Sequence, residues 1–329
     1  KERIMHTRLR PDRWGLMVSH SGELMVGNHS VVSLAKKYGT PLHIVNERRL
    51  FNTAKKFVED VTSVYPSKVS VYYALKCNSV PAIVDTIRSA GLNAEVMTEY
   101  ELDLAFNLGF AGEQIIVNGP CKTDAFLLKC LKRDVRLVIV DSLQELDALN
   151  TLACLLGTRV NILLRVNPDY RPRSVNRGTA TGSRSCAFGL DMKGGELRTA
   201  FARLRGMSSL NFLGLHMHIV TGIRDPQDYV RALHCLKPAI HKASTYGFQI
   251  KVLDVGGGFA STTTREFTTL EMLAYQMSGR LPEEGGRETI AIADFAKAIS
   301  EAVQTCFARE DMPELLYERR ISASSENGP

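Results

Sequence analysis

Three observations predict a (β/α)8 barrel of the TIM type. Eight apolar, strand-like runs alternate with helical stretches, polar residues gather at the C-terminal ends of those runs, and 329 residues can bury one large core or two modest ones. The runs lie at 69–75, 92–97, 114–118, 136–140, 160–166, 211–217, 250–255 and 314–318. Helical stretches separate them at 81–90, 99–108, 122–132, 143–156, 194–205, 226–246 and 294–308. Such alternation implies parallel strands joined by right-handed crossovers. Eight is the strand count of the barrel, which favours it over an open doubly wound sheet.

The elements follow in order. Gly22 to Gly27 is irregular and partly strand-like. Ser30 to Tyr38 reads as a short helix that Gly39-Thr40-Pro41 stops, with Gly after the helix and Pro beyond it. Leu42 to Val45 reads as a short strand. Glu47 to Val64 then places Leu50, Ala54, Phe57, Val58 and Val61 at helical spacing. That helix precedes the first barrel strand and can supply the eighth outer helix.

Composition excludes several classes of function. The chain is 44% hydrophobic and 23% charged, ordinary for a globular enzyme. Its net charge of +6 is spread along the sequence, with no basic–aromatic pattern for nucleic acid. Arg171, Arg173, Arg177 and Arg184 form the one local excess, suited to an anionic ligand group or to a solvated loop. Seven cysteines stand without CxxC or metal spacing, as expected of reduced thiols in a cytoplasmic protein. No apolar run approaches the roughly 20 residues that span a bilayer. The amino terminus lacks the apolar core of a signal peptide, and without an initiator methionine it reads as a start cut from a longer chain.

The polar residues at the strand ends carry the chemistry. In VSVYYALKCNSVP (69–81), strand formers run up to Lys76. An ammonium at the end of a buried strand is costly to desolvate. It is either paired, deprotonated or covalently used, as in Schiff-base chemistry, or it is a surface lysine where the strand exits. Glu95 lies in the second strand, Arg165 and Asn167 end the fifth, His216 and His218 the sixth, and Glu318 the eighth. In a barrel these ends meet at one mouth, where active sites are built. Gly256-Gly257-Gly258, directly after the seventh strand, can present backbone N–H groups to a phosphate or can simply form a tight turn. The HxH pair could bind a metal, but no third or fourth ligand accompanies it, and none is expected. A ring stacked on a flat cofactor fits better, with Thr221 adding a hydroxyl to the phosphate. A reactive lysine, a phosphate cradle, a stacking ring and a carboxylate against a pyridine nitrogen together describe pyridoxal 5′-phosphate. Glu318 is the candidate carboxylate; a surface glutamate is the alternative.

YALKCN (73–78), RVNPD (165–169), GLHMHIVTG (214–222) and LDVGGG (253–258) resemble the fold-type III pyridoxal-phosphate decarboxylases, which include diaminopimelate, ornithine and arginine decarboxylases. GTPLHIVNERRL (39–50) is most similar to the diaminopimelate branch. The resemblance runs from about residue 22 to 320, in the same order. It implies that Lys76 binds the cofactor covalently, that His218 stacks on its ring, and that Thr221 with Gly256, Gly257 and Gly258 holds the phosphate. It also implies that Glu95 lies near the lysine in place of an aspartate, that Arg165 supports the pocket floor, and that Glu318 opens the family's EPGR motif. Catalytic roles thus fall on Lys76, His218 and Glu318.

There are departures. The EPGR motif reads Glu318-Arg319-Arg320, one residue shorter, which bears on whether Arg320 meets the phosphate. Val220 is bulkier than its family counterpart, and Ala187 replaces a lysine in CAFGLD (186–191). The chain stops at Pro329, whereas the family continues into a β-domain whose cysteine and tyrosine complete the site, partly across a dimer interface. The resemblance therefore divides the chain into 1–45 (an N-terminal segment belonging to the β-domain), 46–318 (the cofactor-binding barrel) and 319–329 (the start of a β-domain largely absent here). The expected function is decarboxylation of a basic or dicarboxylic amino acid by a homodimer, without nucleic acid or membrane. The alternatives are a non-catalytic cofactor-binding or regulatory homologue, and an amino-acid racemase of the same fold; alanine racemases place an arginine at the pyridine nitrogen, which weighs against the latter.

Overall fold

In the computed structural model, residues 11, 15–172, 181–184, 186–260, 268–279, 291–319 and 321 are described. The chain falls into two compact units. One comprises Lys1–Thr53, Ser261–Thr289 and Ser322–Pro329, the other Ala54–Ala260 and Ile290–Ile321.

In the first unit, β1 (Leu16–Val18), β2 (Leu24–Val26) and β3 (His29–Ser30) form a small antiparallel sheet. Helix α1 (Val31–Tyr38) follows, capped where the Ser30 hydroxyl accepts the Ser33 N–H. Residues 42–45 are not a strand, contrary to their apolar pattern: among the described residues no strand pairs with them, and a ladder needs a partner. Helix α2 (Glu47–Thr62) crosses the division between the units.

The second unit alternates as the sequence predicts. Its elements are β4 (Val69–Ala74), α3 (Pro81–Ser89), β5 (Asn93–Val96), α4 (Glu99–Asn107), β6 (Ile115–Val117), α5 (Asp124–Lys132), β7 (Leu137–Val140), α6 (Leu143–Leu156) and β8 (Val160–Asn167). A short β9 (Leu190–Asp191), α7 (Glu196–Leu204), β10 (Leu210–His216), α8 (Pro226–Thr245) and β11 (Val252–Asp254) follow. After α9 (Thr269–Ser278), a helix of the first unit that the sequence pattern did not reveal, α10 (Ile292–Gln304) and β12 (Glu314–Arg319) complete the barrel. Strands β4 to β8 and β10 to β12 pair in order, all parallel, and β12 returns to β4 from Leu315↔Val69 to Arg319↔Tyr73. The result is a closed eight-stranded barrel, with β9 added beside β8.

Side chains alternate between barrel interior and helix layer. Tyr72, Ile116, Leu137, Ile139, Leu163, Val252 and Leu316 fill the interior as one buried cluster. On the other face, Phe259 packs 5.9 Å from Phe57 of α2, 5.1 Å from Tyr229 of α8 and 5.4 Å from Phe295 of α10. Each such buried aromatic stabilises the fold by about 2 kcal/mol.

The amino-terminal end of the barrel is closed by paired polar groups. Arg136 donates to Glu314 Oε2 at 2.6 Å and to the Tyr72 hydroxyl, and Ser70 Oγ donates to Glu314 Oε1 at 2.7 Å. Asn161 Nδ2 donates to the Arg136 carbonyl at 3.1 Å and Asn211 Nδ2 to Asn161 Oδ1 at 2.7 Å.

Candidate active site

One step toward the carboxyl ends of the strands, the interior changes from apolar to polar. Ile116, Ile139, Leu163 and Leu316 give way, two residues on, to Asn118, Asp141, Arg165 and Glu318. Register brings Glu95 beside Ile116, His216 beside Arg165, and Asp254 beside His216. All seven polar residues are buried. With Lys76, in the turn after β4, each barrel strand contributes one group to this ring.

Lys76 is the cation the sequence singled out. Its ammonium donates to Glu95 Oε1 at 3.0 Å and stands 4.0 Å from Glu318 Oε2, with a quarter of the side chain exposed. The two carboxylates differ. Glu95 is fully buried and its Oε2 has no hydrogen-bond partner. Burial, reinforced by the charge of Glu318, raises its carboxyl to about 7 although Lys76 opposes the shift. Glu318 is equally deep, but its Oε1 accepts the Asn118 amide at 2.9 Å and lies 3.2 Å from His216 Nε2. Burial alone would raise its pKa; the charge of Lys76 and the hydrogen bond from His216 reverse that and hold Glu318 ionised.

His218 lies just past the end of β10 rather than in the strand, half-buried, and its Nδ1 accepts the Gly257 N–H at 3.4 Å. Burial pushes its imidazole down to about 3, so the ring is neutral. The glycine turn is demanded by its neighbours. A Cβ on Gly256, Gly257 or Gly258 would meet the carbonyl oxygens of Met217 at 2.5 Å, Glu318 at 2.3 Å and Val220 at 2.0 Å. Gly256 and Gly258 also hold positive φ, at 69° and 102°. The Gly258 carbonyl accepts the N–H groups of Gly222 and Ile223, which anchors exposed Thr221 beside the turn.

Arg165 is held at 3.1 Å by Asp141 and stacks 4.5 Å over Phe188, within CAFGLD. Asn167 Nδ2 donates to the Ser183 carbonyl at 2.7 Å, bracing the loop rather than joining the ring. Of the arginine cluster, Arg184 pairs with Asp191 at 3.0 Å, while Arg173 and Arg177 lie outside the described residues. Arg320 lies outside them too. Its neighbour Arg319 is buried in the helix layer, 4.7 Å over Phe57, away from the ring.

Sequence reasoning missed Asn118, Asp141 and Asp254 as ring members. The rule that found Glu95 and Glu318, a polar residue ending an apolar run, also marks IIVN (115–118), LVIVD (137–141) and VLD (252–254). It missed Lys122 as well. That ammonium is buried on Glu145 at 2.8 Å and also donates to the carbonyls of Gly119 and Ile139.

Comparison with known proteins identifies the family and the fold. Residues 48–320 match the family described as pyridoxal-dependent decarboxylase, pyridoxal binding domain. The diaminopimelate decarboxylase of Aquifex aeolicus is 32% identical over 237 residues, 72% of this chain and 54% of that one. That of Bacillus subtilis is 29% identical over 255 residues, 77% of this chain and 58% of that one. The chain thus spans between half and two-thirds of the length of these relatives. The solved diaminopimelate decarboxylase of Methanocaldococcus jannaschii superposes with a TM-score of 0.80 at 23% identity, over 94% of this chain and 66% of that one, and shares the barrel fold. Among the described residues no helix is long and apolar enough to cross a membrane. The match over most of the chain decides the family: it belongs to the pyridoxal-dependent decarboxylases through their pyridoxal-binding domain, and its cofactor is pyridoxal 5′-phosphate.

Proposed function

We propose that this chain is the cofactor-binding part of a decarboxylase that acts on a basic or dicarboxylic amino acid, of the diaminopimelate type. The observation that carries the reading is Lys76, whose amine lies 3.0 Å from Glu95 and 4.0 Å from Glu318 at the mouth of the barrel. The residues fit the cofactor. Glu318 is a buried anion, His218 a neutral ring beside the glycine turn, and Glu95 Oε2 a buried oxygen without a partner. When bound, pyridoxal phosphate supplies an electron sink for the pair left as carbon dioxide departs. Lys76 would bind the cofactor covalently at its aldehyde carbon through the side-chain amine. Glu318 would hold a proton at the pyridine nitrogen, and His218 would stack on the ring. The glycine turn and the Thr221 hydroxyl would take the phosphate, with the Gly256 and Gly257 N–H groups exchanging their present acceptors, Asp254 and His218, for it; Arg320, the further candidate, lies outside the described residues. Arg165, fixed by Asp141, supports the floor, and Glu95 steadies the Lys76 ammonium.

The same reading assigns 1–45 and 319–329 to a β-domain, expects a cytoplasmic homodimer, and takes a free amino acid as substrate. One observation favours a second reading, a cofactor-binding homologue without turnover: in the shortened Glu318-Arg319-Arg320 motif, Arg319 is committed to Phe57. Absorption spectra with added pyridoxal phosphate, borohydride reduction with peptide mapping, and carbon dioxide release from diaminopimelate, lysine, ornithine and arginine separate the two. A visible band that Lys76→Ala abolishes, together with carbon dioxide release, is the expected result. A Lys76-dependent band with no release from any of them in the full-length protein establishes the second reading, and a featureless spectrum defeats both.

A further inference from the structure

Asp254 has no part in the reading above, yet it lies as deep as any group in the ring. It is fully buried; Oδ1 accepts the Gly256 N–H at 2.8 Å, and Oδ2 has no partner. One polar atom each of Asp254, His216 and Glu318 lie within 4.8 Å of one another. Each surrounding element presents a titratable or charged group: Tyr72 from β4 and Lys76 after it, Glu95 from β5, Arg165 from β8, His216 from β10 and Glu318 from β12.

A charge count singles out Asp254. Arg165 is answered by Asp141, and Lys122 by Glu145. Among the described residues that leaves Lys76 as the cation for three buried carboxylates, Glu95, Asp254 and Glu318. Two uncompensated negative charges in so dry a ring would be relieved by protonation. Glu318 has an amide donor, an imidazole and the ammonium around it, and Glu95 has the ammonium. Asp254 has one backbone N–H.

We propose that Asp254 is a positioning residue that holds a proton in the resting protein and, by staying neutral, leaves Glu318 as the anion that faces the pocket. Burial and the charge of Glu318 both push the Asp254 carboxyl well above its ordinary range. The consequence at Glu318 rests on the cofactor reading; the protonation itself does not.

The test uses the full chain with no cofactor added, so it stands even if the cofactor reading fails. Denaturant unfolding is followed between about pH 5 and pH 8, where an aspartate in an unfolded chain is ionised. A carboxyl protonated only in the native state costs up to about a tenfold loss in folding constant per pH unit as pH rises. Asp254→Asn should remove one proton's worth of that slope and be the more stable protein at the alkaline end. Asp254→Ala should show the same flattened slope at lower stability throughout. Infrared spectra of wild-type protein carrying isotope-labelled aspartate give a reading independent of whether the variants fold, with a protonated carboxyl band expected at neutral pH. With pyridoxal phosphate added, Asp254→Asn, neutral like the protonated aspartate, should keep the wild-type pH dependence of the visible band. A wild-type slope in Asp254→Asn, the absence of the infrared band, or a stoichiometric divalent ion bound at His216, Asp254 and Glu318 in place of the proton would each overturn the proposal.

Discussion

The two ends of the barrel are built from similar residues and treat them oppositely. At the amino-terminal end, Glu314 receives Arg136 and Ser70, one on each oxygen. Burial would raise its pKa, but these donors bring it below the ordinary range. At the carboxyl end, Glu95 and Asp254 each keep an oxygen without a partner, and both are pushed up. A paired pole stabilises the fold. The unpaired pole retains free hydrogen-bonding capacity and carboxyls raised above their ordinary range, which is what a binding site requires.

The strongest way to break the comparison is at the unpaired pole. Glu95→Gln should leave stability near pH 4 almost unchanged and raise it by up to about 3 kcal/mol at pH 7, where the unfolded chain has given up a proton that native Glu95 still half holds. At the paired pole Arg136→Leu takes one partner from half-buried Glu314, which keeps Ser70 and Lys68, and removes the donor to the Tyr72 hydroxyl; it should cost about 2 kcal/mol in denaturant unfolding. The visible cofactor band of the folded fraction should survive.

The poles should also respond to pH with opposite sign. Glu314 is depressed, so its contribution is present above the unfolded value of about 4.3 and is lost as pH falls through its folded pKa. Glu95 is raised, so the native state keeps a proton that the unfolded chain gives up. Stability is lost as pH climbs from about 4.3 to about 7 and then levels off. Glu95→Gln should flatten the second limb, and Glu314→Gln the first, in unfolding midpoints measured across the range. The smallest effect belongs to neither pole. Arg203, half-exposed on Asp147, should yield less than about 0.5 kcal/mol when changed to alanine, a reference for what pairing contributes in water.

The barrel was legible because its strands are short apolar runs at regular intervals, and burial inside a closed sheet leaves that signature in each of them. Lys76 and Glu318 were legible because charge at the end of such a run is unusual. Asn118, Asp141 and Asp254 obey the same rule but look like ordinary loop starts until register shows which way they face. Residues 42–45 carry a strand pattern without a neighbour to pair with, and pairing is a property of the fold, not of the segment. The Arg319 outcome follows from alternation. Glu318 points inward, so the next residue must point outward, and the motif's proximity to the pocket in sequence says nothing about that.

Barrel closure has a consequence for the order of events during synthesis. Lys76 sits beside the first barrel strand made and Glu318 in the last, and they meet only when β12 pairs with β4. Until then the lysine lacks its second carboxylate, and the glycine turn lacks the Glu318 backbone it closes against. A growing chain therefore carries a chemically incomplete lysine for almost the whole time it takes to make the barrel. The ring of polar groups is thus completed in a single step, with the final strand.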